Sequence, residues 1–236
     1  MGHYRNANLA MSAAVLLVCN VAFSQQRQPD PRALFNMRLG PPIIALESYT
    51  VRQDLKLTDE QADKLKRILD TVEEAQKKVG DGRDGDFAIQ SAEEKKARRS
   101  EFRKKLDESN TEAVALLTDD QKVRIKQIQI WIRGGEALFT VDVCAELKIT
   151  DEQKEAILEV FKDLKQKMFE IPMPVDGTPD EKRRKMMEQA AVMRNEFDVK
   201  YLAVLTKEQR AKFDTMRGPK IEVDMAEIPF ISGRRP

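Results

Sequence analysis

Imidazole and thiol, the side chains most often used for nucleophilic and acid–base work near neutral pH, are almost missing from this chain. His3, Cys19 and Cys144 are the whole supply among 236 residues. One histidine beside the N-terminus does not build a Ser-His-Asp triad or an HExxH zinc motif, and neither a CxxC pair nor a GxxxxGK[ST] phosphate loop is present. Acid pairs such as Glu73-Glu74 and Glu93-Glu94 abound, but on a chain this charged they read as solvated helix faces. Asp81, Asp84 and Asp86 stand among three glycines and suggest calcium, yet Arg83 and Gly85 occupy alternate positions where an EF-hand loop needs oxygen ligands. The expectation is a protein that is not an enzyme, with no catalytic residue, no cofactor and no metal.

Local charge is the remaining chemistry. Lys95, Lys96, Arg98, Arg99, Arg103, Lys104 and Lys105 form one basic run, and Lys182, Arg183, Arg184 and Lys185 form another. Read functionally, Lys95, Lys96, Arg98, Arg99, Lys182, Arg183, Arg184 and Lys185 make a paired basic surface for acidic or unfolded clients, or for anionic lipid headgroups. Read structurally, they are a solvated face partly neutralised by glutamates at i,i+4 spacing. The net charge of +1 gives no global pull toward nucleic acid or membrane, and 6% aromatics is sparse for stacking on single strands. Met168, Met173, Met186, Met187 and Met193 are grouped. Flexible thioethers suit a surface for varied apolar partners, although helical spacing favours the core for all but Met173. Cys144, between Val143 and Ala145, reads as a buried inert thiol.

The elements that must position these residues announce themselves through one short motif. Leu57-Thr58-Asp59-Glu60-Gln61 is matched by Ile149-Thr150-Asp151-Glu152-Gln153, and Leu117-Thr118-Asp119-Asp120-Gln121 by Leu205-Thr206-Lys207-Glu208-Gln209. Each is a Thr-x-x-Gln capping box. The Thr hydroxyl accepts from the third amide of a new helix, and the Gln side chain returns to the amide of the cap. Acids inside the boxes, paired in three of them, suit the positive end of the helix dipole. The preceding Leu or Ile is placed as a hydrophobic staple. The motif is thus a helix corner, and its residues are structural caps.

The motifs belong to a duplication. Ala45-Leu46, Val51 and Leu55-Lys56 recur 92 positions later as Ala137-Leu138, Val143 and Leu147-Lys148, while the second pair of motifs is offset by 88. The copies run from 41 to 133 and from 134 to 217. Each predicts four helical segments: a short one (around 43–55 and 136–147), one opened by the first box, a long one, and one opened by the second box. Leu65, Ile68, Leu69 and Val72 stripe the second segment of copy one, and Ile157, Phe161, Leu164 and Met168 that of copy two. Ser91-Ala92-Glu93-Glu94 and Thr178-Pro179-Asp180-Glu181 cap the long helices. Gly134-Gly135 and Gly218-Pro219 end the fourth segments. Residues 218–236 carry Pro and Gly breaks and read as an extended or disordered tail.

The N-terminus is of another kind. Arg5 is the only charge before Arg27, Leu9 to Val18 is apolar, and Ala22 and Ser24 are small. The apolar run is too short to span a bilayer, so residues 1–24 read as a signal peptide cleaved before Gln25, with 25–40 as a linker. Cleavage removes His3 and Cys19 and leaves Cys144 as the sole thiol. Lipidation of Cys19 is disfavoured by the bulk of Val18.

The four boxes, quoted above and paired behind a leader, resemble the LTxxQ-motif (Spy/CpxP-like) family of bacterial periplasmic proteins. The resemblance implies an all-α fold in which two tandem LTxxQ helical-hairpin units form a cradle or bundle. Members commonly pair two subunits with two motifs each, so four motifs in one chain imply an internal pseudo-dimer able to stand as a monomer. The motif residues carried over are Leu57, Thr58, Gln61, Leu117, Thr118, Gln121, Thr150, Gln153, Leu205, Thr206 and Gln209, with Ile149 replacing the usual Leu. The implied function is a periplasmic, ATP-independent chaperone-like or envelope-stress protein binding unfolded or partner proteins. The alternative is a dedicated regulator or scaffold for one envelope partner. The absence of a mature histidine argues against the metal-resistance branch of the family.

Overall fold

The computed structural model of the chain describes residues 31–79, 91–172, 174 and 176–223. The expected leader, the loop with Asp81, Asp84 and Asp86, Met173, and the tail beyond 223 lie outside the described residues. The fold is all-α. Among the described residues the sole extended pairing is an isolated bridge between Met37 and Thr140. The described chain divides into two compact units, one over Gly40–Ile128 and the other over residues up to Leu39 together with Gln129–Lys220.

Unit one holds α1 (Pro42–Leu46), α2 (Tyr49–Asp54), α3 (Asp59–Val79), α4 (Ala92–Ala115) and most of α5 (Asp119–Arg133). The single short segment expected over 43–55 is two helices, because Ser48 stops one and caps the next: its hydroxyl accepts from the Val51 amide. Leu65 and Val72 of α3 and Leu106 and Ala113 of α4 are buried, while Ile68, Leu69 and Phe102 are half-buried. Ile43, Leu46, Val51, Leu117, Ile125 and Ile128 complete this core. Each such aliphatic side chain stabilises the fold by about 1.5–3 kcal/mol of burial before entropy is counted.

Unit two holds a 3₁₀ turn (Pro31–Asn36), a second one (Gly134–Phe139), α6 (Val141–Leu147), α7 (Asp151–Glu170), α8 (Pro179–Ala203) and α9 (Lys207–Arg217). Phe139 sits at the centre of its core, with ring centroids 5.0 Å from Phe35, 5.3 Å from Phe161 and 5.9 Å from Tyr201. Ile157, Leu164, Phe197 and Phe213 close around them. Here the linker expectation for 25–40 is corrected. Phe35 inserts into this core and Arg32 donates to Glu155 at 2.6–2.9 Å, so 31–39 is structural. Its large apolar residues, Leu34, Phe35, Met37 and Leu39, span too short a run to fix a period from which to read that role.

Candidate functional site

All four motif boxes close. The amides of Gln61, Gln121, Gln153 and Gln209 donate to the hydroxyls of Thr58, Thr118, Thr150 and Thr206 at 3.2–3.3 Å, and each Thr amide donates back to its Gln Oε1 at 2.9–3.1 Å. Leu117, Ile149 and Leu205 are buried beside them, and Leu57 is half-buried.

The boxes also bind one another in pairs. In unit one Gln61 Nε2 donates to the Leu116 carbonyl (2.6 Å) and to Gln121 Oε1 (2.9 Å). Gln121 Nε2 donates to the Leu55 carbonyl (3.1 Å) and to Gln61 Oε1 (3.2 Å). In unit two Gln153 Nε2 reaches the Val204 carbonyl (3.0 Å) and Gln209 Oε1 (2.6 Å). Gln209 Nε2 reaches the Leu147 carbonyl (3.1 Å) and Gln153 Oε1 (2.9 Å). An amide has two N–H donors and two oxygen lone pairs, and here every one is used. A capping glutamate could not do this, because it has no proton to give across the pair. The junction therefore explains the recurrent glutamine, which a capping box alone does not require.

Other contacts repeat at the same 92 and 88 offsets. Asp54 pairs with Arg124 at 2.7 Å and Glu146 with Lys212 at 2.7 Å. The Ile43 amide donates to Asn110 Oδ1 (3.1 Å) and the Gly135 amide to Asp198 Oδ1 (2.8 Å). Arg52 donates to the Leu46 carbonyl (2.9 Å), and at the matching place the Cys144 thiol donates to the Leu138 carbonyl (2.8 Å). Lys56 and Lys148 both take the left-handed conformation, with φ of 50° and 53°. Cys144 is half-buried, and burial pushes its thiol pKa up, which keeps it protonated and unreactive. Its role matches that of an arginine closing a helix corner.

The two units differ at Gly134-Gly135. Ile43 packs in unit one where unit two has Gly135, and Ala113 packs where unit two has Tyr201. A Cβ on Gly135 would lie 2.6–2.9 Å from Tyr201 Cβ and ring carbons, so the large ring demands the missing side chain. Gly134, at φ +57°, meets the Asp198 carboxylate in the same way. The Tyr201 hydroxyl is buried with no hydrogen-bond partner among the described residues. Burial, then the charges of Glu136 and Asp198, raise its pKa. Burial likewise raises Glu136 and Asp198, opposed in part by Arg194 for both carboxyls and, for Asp198, by the Gly135 amide.

A pH prediction follows from the raised carboxyls. A carboxyl whose folded pKa lies above its unfolded one favours folding below the ordinary value of about 3.9. That contribution is lost as pH rises through the raised value. Asp198→Asn keeps the acceptor, as Asn110 shows at the matching position, and deletes the titration. The variant is expected to gain stability relative to the parent as pH rises from about 4 to about 8. Paired thermal melts across that range check it, and a constant difference would refute the buried-carboxylate account.

Each basic run lies on a single helix, one in each unit. Lys96, Arg98 and Arg99 are exposed on α4, with Lys95 half-buried; Arg184 and Lys185 are exposed on α8, with Lys182 half-buried. The Arg183 side chain lies outside the described residues. Arg184 is 3.7 Å from Glu188, an exposed i,i+4 pair. Met168, Met186 and Met193 are half-buried, and Met168 and Met193 pack on the unit-two core. One pattern escaped the reading of the sequence: Gly80, Gly82 and Gly85 also fit G-x-G-x-x-G. That fingerprint needs a strand before it, and the preceding element is the helix α3, so no dinucleotide site follows.

No group of three or more His, Cys, Asp or Glu among the described residues is placed to hold a metal ion. No described helix is long and apolar enough to cross a membrane. Compared with protein-family models, curated proteins and solved structures, the chain matches none.

Proposed function

We propose that this chain is an exported, periplasmic protein of the LTxxQ-motif kind that binds other proteins without ATP, as a chaperone-like or envelope-stress protein and not as an enzyme. The observation that carries the reading is a set of exposed apolar side chains on two helices of unit two. Phe169, at the end of α7, is 76% exposed; Val192 and Val199, two turns apart on one face of α8, are 61% and 70% exposed. Lys200 pairs with Asp163 (2.6 Å), and Lys167 lies over the Phe197 ring (5.5 Å). These contacts set α7 and α8 antiparallel, so Phe169 and Val192 stand toward the same end. Single exposed apolar groups are ordinary, but a set on one hairpin suits a surface that takes up apolar segments of unfolding chains.

The Arg5, Leu9–Val18 and Ala22/Ser24 pattern supports export. Each pair of motifs closes within its own unit, which supports a monomer containing an internal pseudo-dimer: neither pair needs a second copy to complete it. A dedicated partner is favoured by one contrast. Positions matching Val192 and Val199 in unit one are Lys104 and Thr111, so the two outer faces have diverged.

Protein recovered from the cell envelope is expected to begin at Gln25, to scatter light as a monomer, and to slow aggregation of several unrelated unfolding proteins without ATP. Phe169→Ser/Val192→Ser/Val199→Ser should lose most of that protection while melting like the parent. Protection of none of the clients would leave the dedicated-partner reading, and an intact Met1 on a cytoplasmic protein would remove the periplasmic one.

A further inference from the structure

A run of exposed cations lies along α4, at residues with no part in the capping junctions. An open groove of about 940 Å³ runs beside this helix, and Lys95, Lys96, Arg99, Arg103 and Lys104 line its N-terminal half. Two acids, Asp107 and Glu108, lie at the other end. Lys104 reaches Glu108 only at 4.0 Å. Lys96, Arg99 and Arg103 are exposed and form no ion pair or hydrogen bond among the described residues.

The fold does not account for these cations. Lys96, Arg99 and Arg103 repeat along the first half of the 24-residue α4, and none has an acid within ion-pair distance among the described residues. Ser91 and Glu94 already close the capping box there, with bonds of 2.8–3.2 Å. A row of exposed cations left unpaired among the described residues is suited to an anion from outside the chain.

We propose that this α4 face is a docking site for an anionic lipid surface, with Lys96, Arg99, Arg103 and Lys104 facing the headgroups. The uncharged members of the groove, Ala92, Ser100 and Thr111, are small. They offer no aromatic anchor for a protein hot spot and no ring on which a base could stack. What remains is recognition by charge density, the mode in which four to eight Lys or Arg on one helix face hold an anionic bilayer. The inference is independent of the protein-binding reading, since vesicles contain no client.

The test is co-sedimentation of the purified chain with vesicles of phosphatidylglycerol and phosphatidylcholine, against phosphatidylcholine alone. Binding is expected only to the anionic vesicles, weakening at least tenfold between about 0.05 and about 0.5 M salt as exposed charges are screened. Lys96→Glu/Arg99→Glu/Arg103→Glu should weaken it at least tenfold. Lys66→Glu/Lys126→Glu/Lys207→Glu, with the same change in net charge elsewhere, should leave it within about twofold, because screening confines the effect to nearby charge. The melting temperature of the α4 variant is read beside that of the parent, because the new acids stand at like-charge i,i+4 spacing at 99/103 and 103/107. If it melts lower, the three-glutamine variant at the same positions must show the loss. Equal binding to both vesicle types, equal loss in the two glutamate variants, or binding of a polyglutamate peptide by α4 without vesicle binding would each overturn the proposal.

Discussion

Gln153→Glu is expected to destabilise the chain by about 2–4 kcal/mol near neutral pH, more than the loss of the Thr150 cap beside it. The carboxylate can still accept from the Thr150 amide, so the capping box survives. It can no longer donate to the Val204 carbonyl or to Gln209 Oε1, which Gln153 now reaches at 3.0 and 2.6 Å. Two acceptors are left facing an anion, each stranded group costing about 1–3 kcal/mol. By contrast Thr150→Ala, and likewise Thr58→Ala, Thr118→Ala and Thr206→Ala, removes one cap bond and should cost about 0.5–2 kcal/mol. Gln209→Glu should behave like Gln153→Glu, and the pair should be non-additive by about 0.5–3 kcal/mol in a double-mutant cycle, because the two side chains share their bonds. Urea unfolding with constant m-value is the measurement. Equal costs for Gln153→Glu and Thr150→Ala would mean that the junction between boxes adds nothing to the boxes themselves.

Gly135 is the second sensitive position. Gly135→Ala puts a Cβ within 2.6 Å of Tyr201 Cβ, an atom fixed to the backbone that no rotamer change can remove. Overpacking of this kind costs about 1–3 kcal/mol, and the rigidity of the contact argues for the upper end. Tyr201→Ala should cost about 3–5 kcal/mol through the cavity it leaves. Unit one shows how the two changes can be reconciled, for it packs Ile43 against a helix that carries Ala113 where unit two carries Tyr201. Gly135→Ile/Tyr201→Ala is therefore expected to be clearly more stable than the sum of its single changes predicts. Additive costs in thermal and urea melts would show that the exchange of large for small is not a local compensation. Calorimetry on the same variants should place the loss in the transition of unit two, if the units melt separately.

Much of this architecture was legible before any coordinates. The Thr-x-x-Gln spacing places a hydroxyl and an amide on one helical turn, which is local geometry, so the starts of α3, α5, α7 and α9 could be read from residue types alone. The all-α class and the apolar stripes of α3 and α7 followed from period, because burial of one helix face needs a repeat near 3.6. The offsets of 92 and 88 likewise made the repeat visible. The split at Ser48 was harder, since one cap inside an otherwise helical run competes with continuous propensity.

Only the tertiary structure decided the rest. Why each box ends in Gln depends on a second box 56 or 60 residues away, a partner that no local pattern names. Phe35 joins the core of unit two, and Cys144 stands where Arg52 stands in unit one, through contacts that only packing creates. Gly135 and Tyr201 look unrelated in the chain, and their exchange with Ile43 and Ala113 is visible only where side-chain volumes meet. Periodicity and capping are short-range and can be read along one dimension. Volume complementarity and reciprocal hydrogen bonding are properties of pairs, and the pairing is set by the fold.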